Sequence, residues 1–188
     1  MPILGTVASQ ISGHLTPPDS GAMFPIGIVQ LASSSSFIEF TSIPDTYKHL
    51  QLRFLTRADD GITDGYISFN GDTTATNYYS NRLFGNGSAS ANGAANNNYC
   101  FNGFGTGEEN LFTTGVVDIL NYANTDNRKM LKIFTGFATN VGSAANNWIA
   151  QHSLVWNNTN AITSIRINMA GGNLLTNSQA TLYGIKGA

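Results

Sequence analysis

His49-Leu50-Gln51-Leu52-Arg53-Phe54 alternates polar and apolar side chains without a break. Successive side chains of a strand point to opposite sides, so a period of two describes a strand with one wet face and one oily face. The same period recurs outward from this stretch. Gly65-Tyr66-Ile67-Ser68-Phe69 is a second short strand, closed by the turn signal Asn70-Gly71-Asp72. Ser164-Ile165-Arg166-Ile167-Asn168-Met169 alternates and stops at Gly171-Gly172. Further strands are predicted over Ile26–Leu31, Ser36–Thr41, Asn77–Phe84, Phe112–Leu120, Lys129–Phe137, Trp148–Trp156 and Gln179–Ile185. Roughly ten strands separated by Gly, Asn and Ser turns predict an all-β domain, a two-sheet sandwich or a barrel. No stretch reads as a long amphipathic helix.

One of these strands carries more apolar groups than a single buried face needs. In Lys129–Phe137, Met130 and Phe134 fall on one side, and Leu131, Ile133 and Phe137 on the other. A strand buried on both sides has this pattern, and so does one at a subunit interface. Gly85–Asn98, by contrast, is low in complexity and has no apolar anchor, which predicts a long surface loop or a segment ordered by its neighbours.

The length of 188 residues suits one domain with an arm. A chain of this size buries roughly 70% of its unfolded surface and needs no disulfide or metal to fold. Charged residues are only 11% of the chain, against about 25% in an average soluble domain. Asn, Ser, Thr and Gly take their place, so the surface is polar but nearly uncharged. Nine Lys and Arg residues and a net charge of -2 provide no clustered cations for phosphate, so a nucleic-acid partner is not expected. Low self-repulsion suits a protein packed in an assembly. Cys100 is the single cysteine, which rules out an intrachain disulfide and reads as a plain structural thiol. MPILGTVASQISG has neither a basic leader nor a long apolar core, so a secretory signal is not expected. No apolar run approaches ~20 residues, so a membrane-spanning helix is not expected either.

Residues Met1 to Met23 form an arm ahead of the sandwich expected over residues 24–188. Ile3, Leu4, Val7, Ile11 and Leu15 have helix-face spacing, but Gly5, Gly13 and Pro17-Pro18 oppose a long helix. The arm either packs on its own domain or serves as an apolar tether on a neighbouring subunit.

Catalytic signatures are missing. His14, His49 and His152 sit in no nucleophile or metal motif, and no G-x-S-x-G elbow occurs. His152 alternates with Trp148, Ala150, Leu154 and Trp156, which places it in a core or an interface. Asp59, Asp60 and Asp64 gather in one loop, and oxygen ligands so placed suit Ca²⁺, although their spacing does not match the calcium loop of EF-hands. Glu108-Glu109 form a second acidic pair, too local to be read as a glycosidase couple. Gly103-Phe104-Gly105-Thr106-Gly107 lacks the lysine and the helix that a phosphate loop needs, and reads as a plain loop. Neither a metal nor a cofactor is called for. Tyr78, Tyr79 and Tyr99, with Phe101, Phe104, Trp148 and Trp156, are either core aromatics or a platform on which a glycan stacks.

Three stretches together resemble a known family. They are Met1-Pro2-Ile3-Leu4-Gly5 with Ala8-Ser9-Gln10-Ile11-Ser12-Gly13; Phe40-Thr41-Ser42-Ile43-Pro44-Asp45-Thr46-Tyr47-Lys48-His49 with Ile67-Ser68-Phe69-Asn70-Gly71-Asp72; and Ala161-Ile162-Thr163-Ser164-Ile165 with Leu182-Tyr183-Gly184-Ile185-Lys186-Gly187. The set resembles virion proteins of tailed bacteriophages of aquatic bacteria, described as head-decoration, tail or fibre-associated structural proteins. That resemblance implies a jelly-roll-like antiparallel β-sandwich with an extended N-terminal arm and no enzymatic activity. It implies a chain made in the host cytoplasm and placed on the particle surface. There it would decorate or cement the capsid, partnered by the major capsid protein or other virion subunits. A homo-oligomer is expected, with a trimer favoured because capsid lattices offer three-fold positions. The alternative it leaves open is a receptor- or glycan-binding module of the tail or a fibre.

Overall fold

The computed structural model describes residues 22–59, 63–85, 90–91, 95–96, 100–105, 111–137 and 147–187. Among the described residues thirteen strands run in chain order as β1 (Met23–Gln30), β2 (Phe37–Phe40), β3 (His49–Thr56), β4 (Thr63–Phe69), β5 (Tyr78–Gly85), β6 (Ser90–Ala91) and β7 (Ala95–Asn96). They continue as β8 (Cys100–Gly105), β9 (Thr113–Leu120), β10 (Lys129–Phe137), β11 (Trp148–Trp156), β12 (Ile165–Met169) and β13 (Gln179–Ile185). The strands expected at Lys129–Phe137, Trp148–Trp156 and Gln179–Ile185 coincide with β10, β11 and β13 to the residue. The sandwich begins at Met23, which pairs with Ile185, so β1 starts inside the stretch read as arm.

Two antiparallel sheets face each other. The large one has the order β1-β13-β3-β9-β10-β11-β5-β6, with β7 also on β5, and the small one β2-β12-β4-β8. Numbering β1, β2, β3, β4, β8, β9, β12 and β13 from one to eight turns their sheet orders into 1-8-3-6 and 2-7-4-5. This is the strand order of a jelly roll. The hairpin β10–β11 and strand β5 are additions that widen the large sheet beyond it.

Alternation fills the space between the sheets. Leu50, Leu52 and Phe54 of β3, Val117 and Ile119 of β9, and Leu131 and Ile133 of β10 point inward and are buried. Ile38, Phe40, Ile67, Phe69, Ile165 and Ile167 meet them from the small sheet. Burying each such side chain contributes about 1.5–3 kcal/mol.

A polar knot ties the two sheets together at one end. Asn70 and Gly71 both take positive φ (51° and 74°), as a two-residue hairpin turn requires, and the Asp72 amide closes the turn on the Phe69 carbonyl at 2.8 Å. The Asp72 carboxylate then accepts from Trp156 Nε1 at 2.8 Å, Asn77 Nδ2 at 2.9 Å and the Thr74 amide at 3.0 Å. Tyr78 donates its hydroxyl proton to the Asp72 carbonyl at 2.8 Å. Burial works to raise the Asp72 pKa, but the bonds from Trp156, Asn77 and Thr74 outweigh it and hold the carboxyl below its ordinary value. Asp72→Ala would leave the indole N–H of buried Trp156 without its acceptor. We expect a loss of about 2 kcal/mol, read as a lower midpoint in urea; an unchanged midpoint would show the knot to be dispensable.

A second anchor is Lys129, which is buried. Its ammonium donates to the carbonyls of Asn127 and Thr159, each at 2.8 Å, and to that of Asn124. Burial lowers its pKa, with Asp126 opposing. The carbonyl cage holds the turn after β9 against the segment after β11.

One expectation is corrected here, and one pair of alternatives is narrowed. The Gly103-Phe104-Gly105 run is not loop but the end of β8, which pairs with β4 through Thr63↔Gly105 and Gly65↔Phe101. Within Gly85–Asn98, β6 and β7 add short pairings to β5. In both places a neighbouring strand supplies the ladder that the local composition does not announce.

Candidate functional site

The outward side of the large sheet is the feature that stands apart. Antiparallel register puts directly paired residues on the same side, so the strand pairings define rows across this face. The first row is Met23, Ile185, His49, Leu120, Met130, Val155 and Tyr79. The second is Pro25, Tyr183, Gln51, Asp118, Lys132, Ser153 and Asn81. Ile28, Thr181, Arg53, Val116, Phe134, Gln151 and Leu83 make the third. The fourth runs Gln30, Gln179, Leu55, Thr114, Gly136, Ile149 and Gly85.

Apolar groups dominate the first row and recur through the third and fourth, while the second row is a polar stripe. Ile28 is 68% exposed, Leu83 59%, Ile149 53%, Phe134 52% and Met130 46%. With Met23, Leu55 and Tyr79 they account for every exposed large apolar side chain among the described residues except Phe37, which lies on the small sheet. Such side chains scattered singly are ordinary, but a contiguous patch on one face marks an interaction surface.

The polar stripe is internally ordered at one side. Gln51 Nε2 donates to Asp118 Oδ1 at 2.7 Å, and Arg53 Nε donates to Gln51 Oε1 at 2.8 Å. Arg53 also lies 5.5 Å above the ring of Tyr183. The side chain of Lys132, opposite Asp118 in register, makes no hydrogen bond or ion pair among the described residues.

Three shallow depressions open on this same face. One, of about 410 Å³, lies between Arg53, Leu55, Thr114, Val116, Gln179 and Thr181. Another is bordered by Asn81, Leu83, Lys132, Gln151 and Ser153. The most apolar, of about 270 Å³, is lined by Leu83, Phe84, Gly85, Phe134, Ile149 and Gln151. The depressions are shallow, and apolar side chains line each of them beside the charged ends of Arg53 in the first and Lys132 in the second, an arrangement that suits broad contact.

The residues singled out from sequence are dispersed. Tyr78 does not face a ligand: it is fully buried, stacked at 6.5 Å on Trp156, because the parity of β5 turns it inward and its neighbour Tyr79 outward. Tyr79 is exposed in the first row, where Asn157 Nδ2 reaches its hydroxyl at 3.5 Å. Tyr99 and the arm residues Ile3, Leu4, Val7, Ile11 and Leu15 lie outside the described residues. Asp59 is engaged by Asn173, whose amide and Nδ2 donate to it at 2.6 and 3.1 Å and lower its pKa. Asp64 belongs to β4, and Asp60 lies outside the described residues. Among the described residues no three His, Cys, Asp or Glu side chains come together as a metal site. His152 is buried on the inner side of β11, opposite Arg82 in register.

The row pattern could be found in sequence only in part. Met130 and Phe134 announced themselves as surplus apolar groups, but their alignment with Leu83, Val116 and Ile149 needs the register of four strands. Compared with protein-family models, curated proteins and solved structures, the chain shows no significant match.

Proposed function

We propose that this chain is a non-enzymatic structural protein of a tailed-phage virion, which decorates or cements the capsid surface through apolar and backbone contacts. One observation carries this reading: among the described residues, exposed large apolar side chains are concentrated on a single broad sheet face. The jelly-roll strand order and the low charge accord with it, as does the resemblance drawn from the sequence. Ile3, Leu4, Val7, Ile11 and Leu15 remain the candidate attachment segment, ahead of β1.

The test is particle composition. Purified virions should contain the chain in many copies, with labelled antibody on the head, and deletion of residues 1–21 should abolish attachment while the body still melts cooperatively. Full-length chain missing from the particle would end this reading.

Tyr79, exposed beside Asn157, favours a second reading as a glycan-binding module of the tail or a fibre. In that case antibody marks the tail tip, and Tyr79→Ala removes binding on a glycan array.

A further inference from the structure

We infer that the outer face of the large sheet is a self-association surface on which a second copy of this chain packs about a two-fold axis running along the strands between β9 and β10. Where on a particle the protein sits does not enter into this inference.

Such an axis keeps each row level with itself and lays β9 of one copy over β10 of the other. Leu120 then meets Met130 of the second copy and Val116 meets Phe134, apolar on apolar. Between them Asp118 meets Lys132, so the stripe that interrupts the apolar rows becomes two reciprocal ion pairs. Isologous contacts are self-complementary in this way. Further out, Leu55 comes over Ile149 and Ile185 over Tyr79.

The other two-fold, across the strands, fits worse. Centred on the polar stripe it sets Asp118 on Asp118 and Lys132 on Lys132. Centred between rows it presses those charges onto Val116 and Phe134. Like charges or unpaired buried charges oppose both arrangements.

Size is adequate as well. Six strands from β13 to β5 and four rows tile about 29 Å by about 27 Å at ordinary strand spacings, roughly 800 Å². A standard interface takes about that much from each partner. Two sheets stacked face to face with their mean strand directions within about 30° of each other are also a stable packing. The pairing differs from the ring of three expected from capsid geometry, and the same measurement separates them.

Sedimentation of the full chain over a concentration series should give twice the monomer mass. Phe134→Asp should raise the dissociation constant by about tenfold or more, with its melting curve confirming a folded chain. Lys132→Asp and Asp118→Lys should each be monomeric alone, yet form a mixed dimer when combined. Rescue on mixing isolates contact between chains, because any repulsion within one chain is still present in the mixture. A monomer at every concentration, a trimer, or variants that associate as the parent does would each overturn the inference.

Discussion

Gly115→Val is expected to be among the most destabilising single substitutions in the sandwich, costing roughly 3 kcal/mol. Gly115 lies on the inner side of β9, directly opposite Phe54 in the β3–β9 register. A Cβ built there would stand 2.1 Å from the Phe54 Cζ and 2.6 Å from both Cε atoms. The missing side chain is therefore the space the aromatic ring occupies. Phe54 is itself buried in the hydrophobic core, so displacing its ring disturbs close-packed neighbours. Urea unfolding should show the loss, and Phe54→Ala in the same chain should recover part of it by vacating the site. If the double variant is as unstable as the two single losses added together, the ring is not the obstacle. Gly184 repeats the device under Tyr47, whose ring atoms stand 2.3 Å from a Cβ placed there.

Stability should also fall by roughly 3 kcal/mol between about pH 6.5 and pH 4, through His152. Burial, aided by the Arg82 guanidinium, lowers its pKa from 6.5 to about 4. Above pH 6.5 neither the folded nor the unfolded chain holds that proton, and the histidine adds nothing to the pH dependence. As the pH drops below 6.5 the unfolded chain takes the proton while the folded chain refuses it, so unfolding becomes progressively easier. Below about pH 4 both forms are protonated and the loss stops growing. At about 1.4 kcal/mol for each tenfold difference in proton affinity, the interval gives the stated magnitude. Denaturant titrations at several pH values would trace the slope, and His152→Leu should remove most of it whatever it does to stability at pH 7. An unchanged slope in the variant would assign the acid sensitivity elsewhere. The depressed Asp72 carboxyl acts in the same direction at lower pH, since its contribution is present above its unfolded pKa and is lost as pH falls through the folded one.

Both predictions rest on features that were partly legible in the sequence. Alternation in His49–Phe54, Trp148–Trp156 and Ser164–Met169 revealed strands because each of those strands has one side in the core, where polarity is selected against. The same logic placed His152 in a core or an interface, and the structure buries it on the inner side of β11. What stayed hidden has a common physical cause, since pairing partners decide it. Nothing local distinguishes Tyr78 from Tyr79, and only the inward parity of β5 against Leu154 and Trp156 sends one into the core and the other into solvent. Cys100–Gly105 has too few branched side chains to read as a strand and is ordered by the open edge of β4. Gly115 falls inside the predicted strand Phe112–Leu120, but the reason for a glycine there is invisible locally, because the ring that fills its place is about sixty residues away in the chain.

The same dependence on partners explains the candidate interface. Met130 and Phe134 looked surplus within β10, and the structure leaves them in water. A row of such side chains is costly to keep solvated at about 25 cal/mol per Å². The second copy inferred above would remove that cost.

Hydroxyl-radical labelling of the full chain at low and high concentration tests this most directly. Met130 and Phe134 are exposed at the centre of the face, while Phe37 is exposed on the small sheet and serves as an internal reference. If the large sheet's outer face is covered by another copy, labelling of Met130 and Phe134 relative to Phe37 should fall as concentration rises. A ratio that stays constant across the series would contradict it.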